Sequence, residues 1–272
     1  GAKDLSHLYF HLFGEALFET EGIPGIVYCD RSFGFGCYHG FFLRAVSEEG
    51  IKIVKDVEKE CIKNYGIGGL GCTHGIGHGV MDFFWSKSID EALEVCSTLA
   101  WKGKLLGCQD GVFMEYNFPT IINPDKTTNS SHRSLDKENY YHPCESVHER
   151  YKPSCYYNLP QWWEGILGHD YEKLGKLCND IIDTDNRKIC FFGIGNSIPF
   201  FFDYNIEKST EACSKMPNLE NKTFCTTGAA WSIFDDDFGN KSNYKLMCGT
   251  LPEAEKEFCF INYNVYKMAQ KN

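Results

Sequence analysis

Two histidines stand four residues apart, among three glycines, in the segment CTHGIGHG, residues 72 to 79. Residues at positions i and i+4 share one face of a helix, so His74 and His78 can both bind one metal ion. Glycine is a poor helix former, by about 1 kcal/mol relative to alanine, and a buried histidine needs a polar partner. The segment therefore predicts a metal site on a closely packed helix.

Other residues repeat this arrangement elsewhere in the first half of the chain. DLSHLYFHLFGEALF contains two histidines at the same spacing, while CYHG and CQDG place a histidine or an aspartate two residues after a cysteine, as CTHG does. Imidazole and carboxylate groups suit transition metals, and zinc, iron and copper are the candidates. The predicted metal ligands are His7, His11, His39, His74, His78 and Asp110.

Further polar residues near these positions are candidates for supporting roles. Glu115 and Glu15 are the predicted general bases, and Asp82, His142 and Tyr157 are predicted to support the ligands or to contact a substrate. The alternative interpretation is that each histidine beside a glycine is simply buried in the core. Four histidines outside the pattern are predicted to lie on the surface or in loops: His132, His142, His148 and His169.

Cysteines mark the elements that must position these residues. The 14 cysteines form seven neighbouring pairs, whose members are 8, 11 or 12 positions apart. The second cysteines recur every 34 to 36 residues, apart from one interval of 47, and such a period is typical of a two-helix solenoid repeat. We predict disulfides within each pair: Cys29–Cys37, Cys61–Cys72, Cys96–Cys108, Cys144–Cys155, Cys178–Cys190, Cys213–Cys225 and Cys248–Cys259.

Two kinds of helix alternate in the predicted repeat. The segment after each second cysteine, such as CYHGFFLRAV, carries Gly or Asn three residues later and is predicted to be an inner helix, here called helix A. Segments such as SIDEALEVCSTLA have the spacing of an amphipathic surface helix, called helix B. The sequence thus predicts an all-α single domain over 1–272, with about seven disulfide-stapled helix–turn–helix repeats. Residues 1–28 form a degenerate first unit, and 117–143 form an inserted loop that carries His142 and is predicted to be a lid.

The predicted ligands constrain the shape of the array. Neighbouring helices lie about 8–10 Å apart, so His7 and Asp110 converge only in a tightly curved superhelix or a closed α/α toroid. In an open array the site shrinks to His39, His74 and His78 with part of the first unit. The ligands are also expected in the first turn of their helices, where the helix dipole lowers histidine pKa values and attracts an anionic ligand.

Composition narrows the setting of the protein. A net charge of -10 argues against a nucleic-acid partner, and no apolar run reaches the roughly 18 residues of a membrane span. An even number of cysteines without any CxxC motif favours disulfides over zinc or iron–sulfur sites. The chain is therefore predicted to be extracytosolic: secreted, periplasmic or at a cell surface.

The repeat resembles the cysteine-rich Sel1-like branch of tetratricopeptide-type solenoids, and SIDEALEVC followed by LLGCQDGVFMEY carries the likeness. The resemblance implies a two-helix repeat in an exported protein that binds a partner on its concave face. The histidines favour an exported metal-dependent enzyme, a hydrolase or an oxidoreductase, which acts on a small-molecule, peptide or glycan ligand. A non-catalytic Sel1-like module that binds a peptide or glycan, or a metal carrier, is the alternative.

Overall fold

A computed structural model describes residues 2–30, 32–67, 69–84, 88–117, 139–236 and 242–264, with side chains from residue 6 onward. Within these ranges the chain forms helices and turns and no β-strand, which confirms the predicted all-α class. Its contacts divide it into two compact units, Gly1–Ser134 and Leu135–Asn272. The single domain over 1–272, its curvature and the lid stay predictions, because 118–138 lie outside the described residues.

The first unit places the helices that carry the predicted ligands side by side. Helix α1 packs on α2, α2 packs on α4, and α4 packs on α6. Helices α3 and α5 are the amphipathic B helices between them. The helices of this unit are α1 (Ala2–Glu21), α2 (Ser32–Glu49), α3 (Val54–Tyr65), α4 (Leu70–Phe83), α5 (Ile89–Ser97) and α6 (Cys108–Asn117).

The second unit repeats the same order of contacts. Helix α7 packs on α9, α9 packs on α11, and α11 packs on α12 and α13. No helix of the described ranges in either unit is both long and apolar enough to cross a lipid bilayer. The helices of this unit are α7 (Lys152–Leu167), α8 (Tyr171–Asn179), α9 (Thr184–Phe201), α10 (Ile206–Ser214), α11 (Leu219–Asp236), α12 (Asn243–Cys248) and α13 (Glu253–Asn262).

Disulfides join each first cysteine to the A helix that follows it. The structure forms all seven predicted pairs, with Cα–Cα distances of 5.4 to 5.8 Å, and leaves no free cysteine. A bridge that closes a loop of this length stabilises a fold by about 3 kcal/mol, mainly by restricting the unfolded chain. The repeats, which have no single deep core, are therefore stapled at every junction.

Helices α4 and α9 begin earlier than the sequence predicts, whereas α6 begins at its cysteine and has Asp110 in its first turn, as predicted. Helix α4 begins at Leu70, two residues before its cysteine, and α9 begins at Thr184, six residues before its cysteine. The side chain of Asp183 caps α9, so a polar cap rather than the cysteine sets the start. The predicted first-turn position is therefore wrong for His74 and His78, which lie in the second and third turns of α4.

Glycines allow the A helices to touch backbone to backbone. A Cβ atom on Gly40 would lie 1.9 Å from the carbonyl oxygen of His11, which joins α2 to α1. A Cβ atom on Gly111 would lie 2.0 Å from the carbonyl oxygen of His74, which joins α6 to α4. No larger residue fits at these crossings, and this close approach offsets the poor helix propensity of glycine.

We expect Gly195→Ala to lower the free energy of unfolding by about 1–3 kcal/mol, although alanine is the better helix former. The added Cβ would lie 1.8 Å from the carbonyl oxygen of Cys225, so α9 and α11 must separate. Gly175→Ala is the matched control, since its Cβ would meet no atom closer than 3.2 Å. Urea unfolding measures the free energy of unfolding of both variants. Equal stabilities for the two would contradict the proposed close packing at Gly195.

Candidate metal centre

The five histidines predicted as ligands come together in the first unit. His7 and His11 lie on α1, His39 on α2, and His74 and His78 on α4. The ring of His39 is central, with its centroid 5.4 Å from that of His7, 5.2 Å from His11, 5.4 Å from His74 and 4.0 Å from His78. A Cβ atom on Gly79 would lie 2.4 Å from the carbonyl oxygen of Phe42, which joins α4 to α2. The glycine contacts at Gly40 and Gly79 thus bring side chains from three successive A helices to one place.

The five rings form two groups that share one member. One ring nitrogen from each of His7, His11 and His39 lies within 4.8 Å of the others, and the same holds for His39, His74 and His78. We call the first group the N-terminal triad and the second the carboxylate-backed triad. Either group offers the three nitrogen ligands that catalytic metal sites commonly provide.

Carboxylates from α6 hold the outer nitrogens of the carboxylate-backed triad. The Nδ1 atom of His74 lies 2.9 Å from Oδ2 of Asp110, and Nδ1 of His78 lies 2.6 Å from Oε2 of Glu115. The Glu115 side chain is 1% exposed. Both carboxylates therefore contact the side of the ring that faces away from the other histidine, which is the usual position of a group that orients a metal-bound imidazole.

These contacts fix the tautomers of His74 and His78. A carboxylate accepts a hydrogen bond, so each Nδ1 carries the proton and donates, and each Nε2 presents a lone pair. The two Nε2 atoms face each other at 3.0 Å. Two lone pairs at this distance repel unless a cation lies between them, so the arrangement requires either a proton or a metal ion.

A left-handed turn supports the N-terminal triad. Phe33, Gly34 and Phe35 have φ values of 52°, 61° and 63°, a conformation that costs a phenylalanine roughly 1–2 kcal/mol. The turn places the carbonyl oxygen of Phe33 2.6 Å from Nδ1 of His7, whose N–H donates to it. Sequence reasoning did not identify this carbonyl, because the backbone conformation that exposes it has no signature beyond one glycine.

Two buried nitrogens of the cluster lack a hydrogen-bond partner: Nδ1 of His11 and Nε2 of His39. The Nε2 atoms of His7 and His11 lie 2.9 Å apart. A buried nitrogen without a partner costs about 1–3 kcal/mol, so such atoms call for an explanation, and binding of an ion is one of the usual ones.

Burial keeps the inner histidines neutral. It lowers the pKa of His11 to about 3, with a smaller contribution from His7, and it lowers the pKa values of His39 and His78 well below the ordinary value. Removal from water, rather than the helix dipole inferred from sequence, is the largest cause. Neutral imidazole is the form that binds metals.

The other predicted site residues lie at various distances from this cluster. Glu15 lies one turn beyond His11 on α1, and burial raises the pKa of its carboxyl group while Arg44 opposes the rise. Asp82 is half-buried one turn beyond His78. Tyr157 is buried on α7, and His142 is exposed in a turn of the second unit. The roles of all four stay predictions.

A second polar cluster, in the second unit, was missed by sequence reasoning. The buried carboxylate of Glu164 accepts hydrogen bonds from the hydroxyls of Tyr171 and Ser197, and it lies 3.1 Å from Nδ1 of His169. Burial raises the pKa of Glu164, and these three partners oppose the rise. His169 borders an open cavity of about 450 Å³ and is therefore not an isolated surface residue.

Fold and site together define a disulfide-stapled all-α protein with a buried five-histidine cluster. Comparisons with protein-family models, curated proteins and solved structures find no match to this chain. The geometry of the cluster is therefore the basis for inferring the function of this protein.

We expect the free energy of unfolding of the metal-stripped protein to fall as the pH is lowered from about 7.5 to about 5. The unfolded chain takes up protons on histidine near pH 6.5, whereas the buried rings do not, so stability present above that pH is lost below it. His11, with its folded pKa of about 3, accounts for about 2 kcal/mol of the loss at about 1.36 kcal/mol per pH unit. Urea unfolding after chelation measures this dependence.

The matched variants for this experiment are His11→Gln and His148→Asn. The first removes one buried ring and reduces the pH dependence. The second changes an exposed histidine, keeps a side chain that can cap the turn at Glu149–Tyr151, and leaves the dependence unchanged. If the free energy of unfolding of the unmodified protein does not change with pH, the neutral, buried state of the rings is contradicted.

Proposed function

We propose that the protein is an enzyme that binds a transition metal in the five-histidine cluster and uses this metal for catalysis. The observation that carries the proposal is the pair of Nε2 lone pairs of His74 and His78, which face each other at 3.0 Å while both Nδ1 protons are held by carboxylates. Burial lowers the pKa of His78, which disfavours a proton in the gap. A metal ion is the cation that these nitrogens favour.

The spacing of the rings fits metal coordination. Two nitrogens bound at about 2.0–2.1 Å to one ion lie roughly 2.9–3.3 Å apart for bond angles between about 90° and 109°. The Nε2 separations of 3.0 Å on α4 and 2.9 Å on α1 fall at the short end of this range. Nitrogen ligands with carboxylate support suit zinc, iron or copper.

The first helix and the exposure of the rings suggest how the chain would assist a reaction. The bound ion would supply either an activated water for hydrolysis or, as iron or copper, oxygen chemistry. Glu15 is one helical turn from His11 and has a buried Oε1 that lacks a hydrogen bond and a raised pKa, so we assign it the role of holding a proton near the N-terminal triad. His7 and His74 are the partly exposed rings, so a ligand reaches the cluster from their side.

The setting proposed for this activity is an extracytosolic compartment. All fourteen cysteines are paired, and such dense pairing requires oxidising conditions during folding. Asp110 and Glu115, inferred from sequence to be a ligand and a base, are proposed instead to orient His74 and His78 through their Nδ1 atoms. The small-molecule, peptide or glycan class of the ligand stays open.

Elemental analysis of the purified protein tests the proposal. We expect a stoichiometric transition metal whose content falls in the double variant His74→Gln/His78→Gln and is unchanged in His148→Asn, with both variants folded by circular dichroism. A metal-free protein whose thermal unfolding ignores chelators overturns the proposal and favours the Sel1-like interaction module. A metal-loaded protein without turnover on esters, amides, glycosides or oxidisable substrates favours a carrier.

We expect Asp110→Asn and Glu115→Gln each to weaken metal affinity by about 10–100-fold without removing a ligand. A neutral amide holds the Nδ1 proton less strongly than a carboxylate and leaves the imidazole a poorer donor to the metal. Competition with a chelator of known affinity measures the change. Glu94→Gln, an exposed position on α5, is the charge-matched control, and equal affinities in all three variants contradict the orienting role.

A further inference from the structure

We propose that the cluster holds two transition-metal ions, one in each triad, with His39 shared between them. This inference depends on the proposed function in one respect, that the cluster binds metal at all. The inference goes beyond the proposed function because it assigns a second metal site, made by His7 and His11, and a bridging role to His39.

The grouping of the rings supports two sites over one. A single ion with five nitrogen ligands brings every ligand pair within about 4.2 Å, twice a metal–nitrogen bond. The structure instead gives two groups of three, each within 4.8 Å, and they meet only at His39. Within the described residues, no ring contact joins His7 or His11 to the α4 histidines, whereas His39 contacts all four.

Each triad has the ring spacing of a separate site. Two imidazoles on one ion have centroids about 4.5–5.2 Å apart, given bonds of about 2.0–2.1 Å. The two rings on α1 are 4.6 Å apart, and those on α4 are 4.8 Å apart. The two Nε2 atoms of each pair lie 2.9 Å apart on α1 and 3.0 Å apart on α4, so each helix presents two nitrogen ligands at the spacing that one ion requires.

The N-terminal triad has its own evidence of a ligand. The N–H at Nδ1 of His7 donates to the carbonyl of Phe33, so its Nε2 presents a lone pair toward His11. Nε2 of His11 faces this lone pair at 2.9 Å, and Nε2 of His39, the third member of the triad, is buried without a hydrogen-bond partner, so nitrogens of this triad are available to bind an ion.

Sharing His39 has a chemical consequence. Each ring nitrogen has one in-plane lone pair, so one imidazole binds two ions only through both nitrogens, as an imidazolate. Binding of the second ion therefore releases the remaining ring proton of His39 to water, and no electron is transferred. The two ions would lie about 6 Å apart, from bonds of about 2.0–2.1 Å on either side of one ring.

The two triads should load in order. Carboxylates raise the donor strength of His74 and His78, whereas Nδ1 of His7 has only a backbone carbonyl as its partner and Nδ1 of His11 has none. The carboxylate-backed triad therefore binds the first ion, about 10–100-fold more tightly than the N-terminal triad binds the second.

Copper(II) titration of the metal-stripped full-length protein tests this inference. We expect two ions per chain bound in two phases, and a magnetically coupled electron paramagnetic resonance spectrum at saturation. His7→Gln/His11→Gln binds only the tighter ion, and His74→Gln/His78→Gln binds only the weaker ion. The spectrum of each double variant then shows no magnetic coupling, because only one ion is bound. His148→Asn retains two coupled ions, and circular dichroism confirms that each variant is folded.

The remaining outcomes separate this inference from the proposed function. One ion that survives loss of His7 and His11, but not of His74 and His78, overturns the second site and leaves the proposed function standing. One ion that is lost with either pair indicates a single five-ligand site and overturns the inference. Two uncoupled ions refute the sharing of His39, and a chain that binds no copper refutes both proposals.

Discussion

The close backbone approach of the A helices is the constraint on which the rest of the structure depends. Where Gly40 meets α1 and Gly111 meets α4, a single added carbon atom would overlap a carbonyl oxygen. Only at this separation can short imidazole side chains from three helices come within a metal's reach of one another. Glycine is a costly residue in a helix, and the chain accepts that cost at each of these crossings.

The disulfides compensate for what this packing lacks. Glycine has no side chain, so the glycine contacts themselves bury little apolar area. Seven short covalent loops, such as Cys61–Cys72 at the start of α4, restrict the unfolded chain at every junction. The bridges at Cys37 and Cys72 also restrict the rotation of α2 and α4, and therefore the directions in which His39, His74 and His78 point.

The cluster illustrates how burial prepares a site for a cation. Rings removed from water resist protonation, so His39 and His78 are neutral and their lone pairs are available. Carboxylates behind two of the rings settle the tautomers of His74 and His78. For His7 on α1, the strained turn at the start of α2 supplies a carbonyl that does the same. Local strain of this kind is characteristic of functional sites rather than of packing.

The sequence by itself determined the helical repeat, the disulfide pairs and the five clustered histidines, because each leaves a periodic or paired signal along the chain. It did not determine the helix starts, since the cap at Asp183 is local chemistry outside the cysteine period. Only the tertiary structure decided that Glu115 meets His78 and that Phe33 meets His7. These contacts join residues that are 37 and 26 positions apart, and their geometry depends on how closely neighbouring helices pack and how one turn bends.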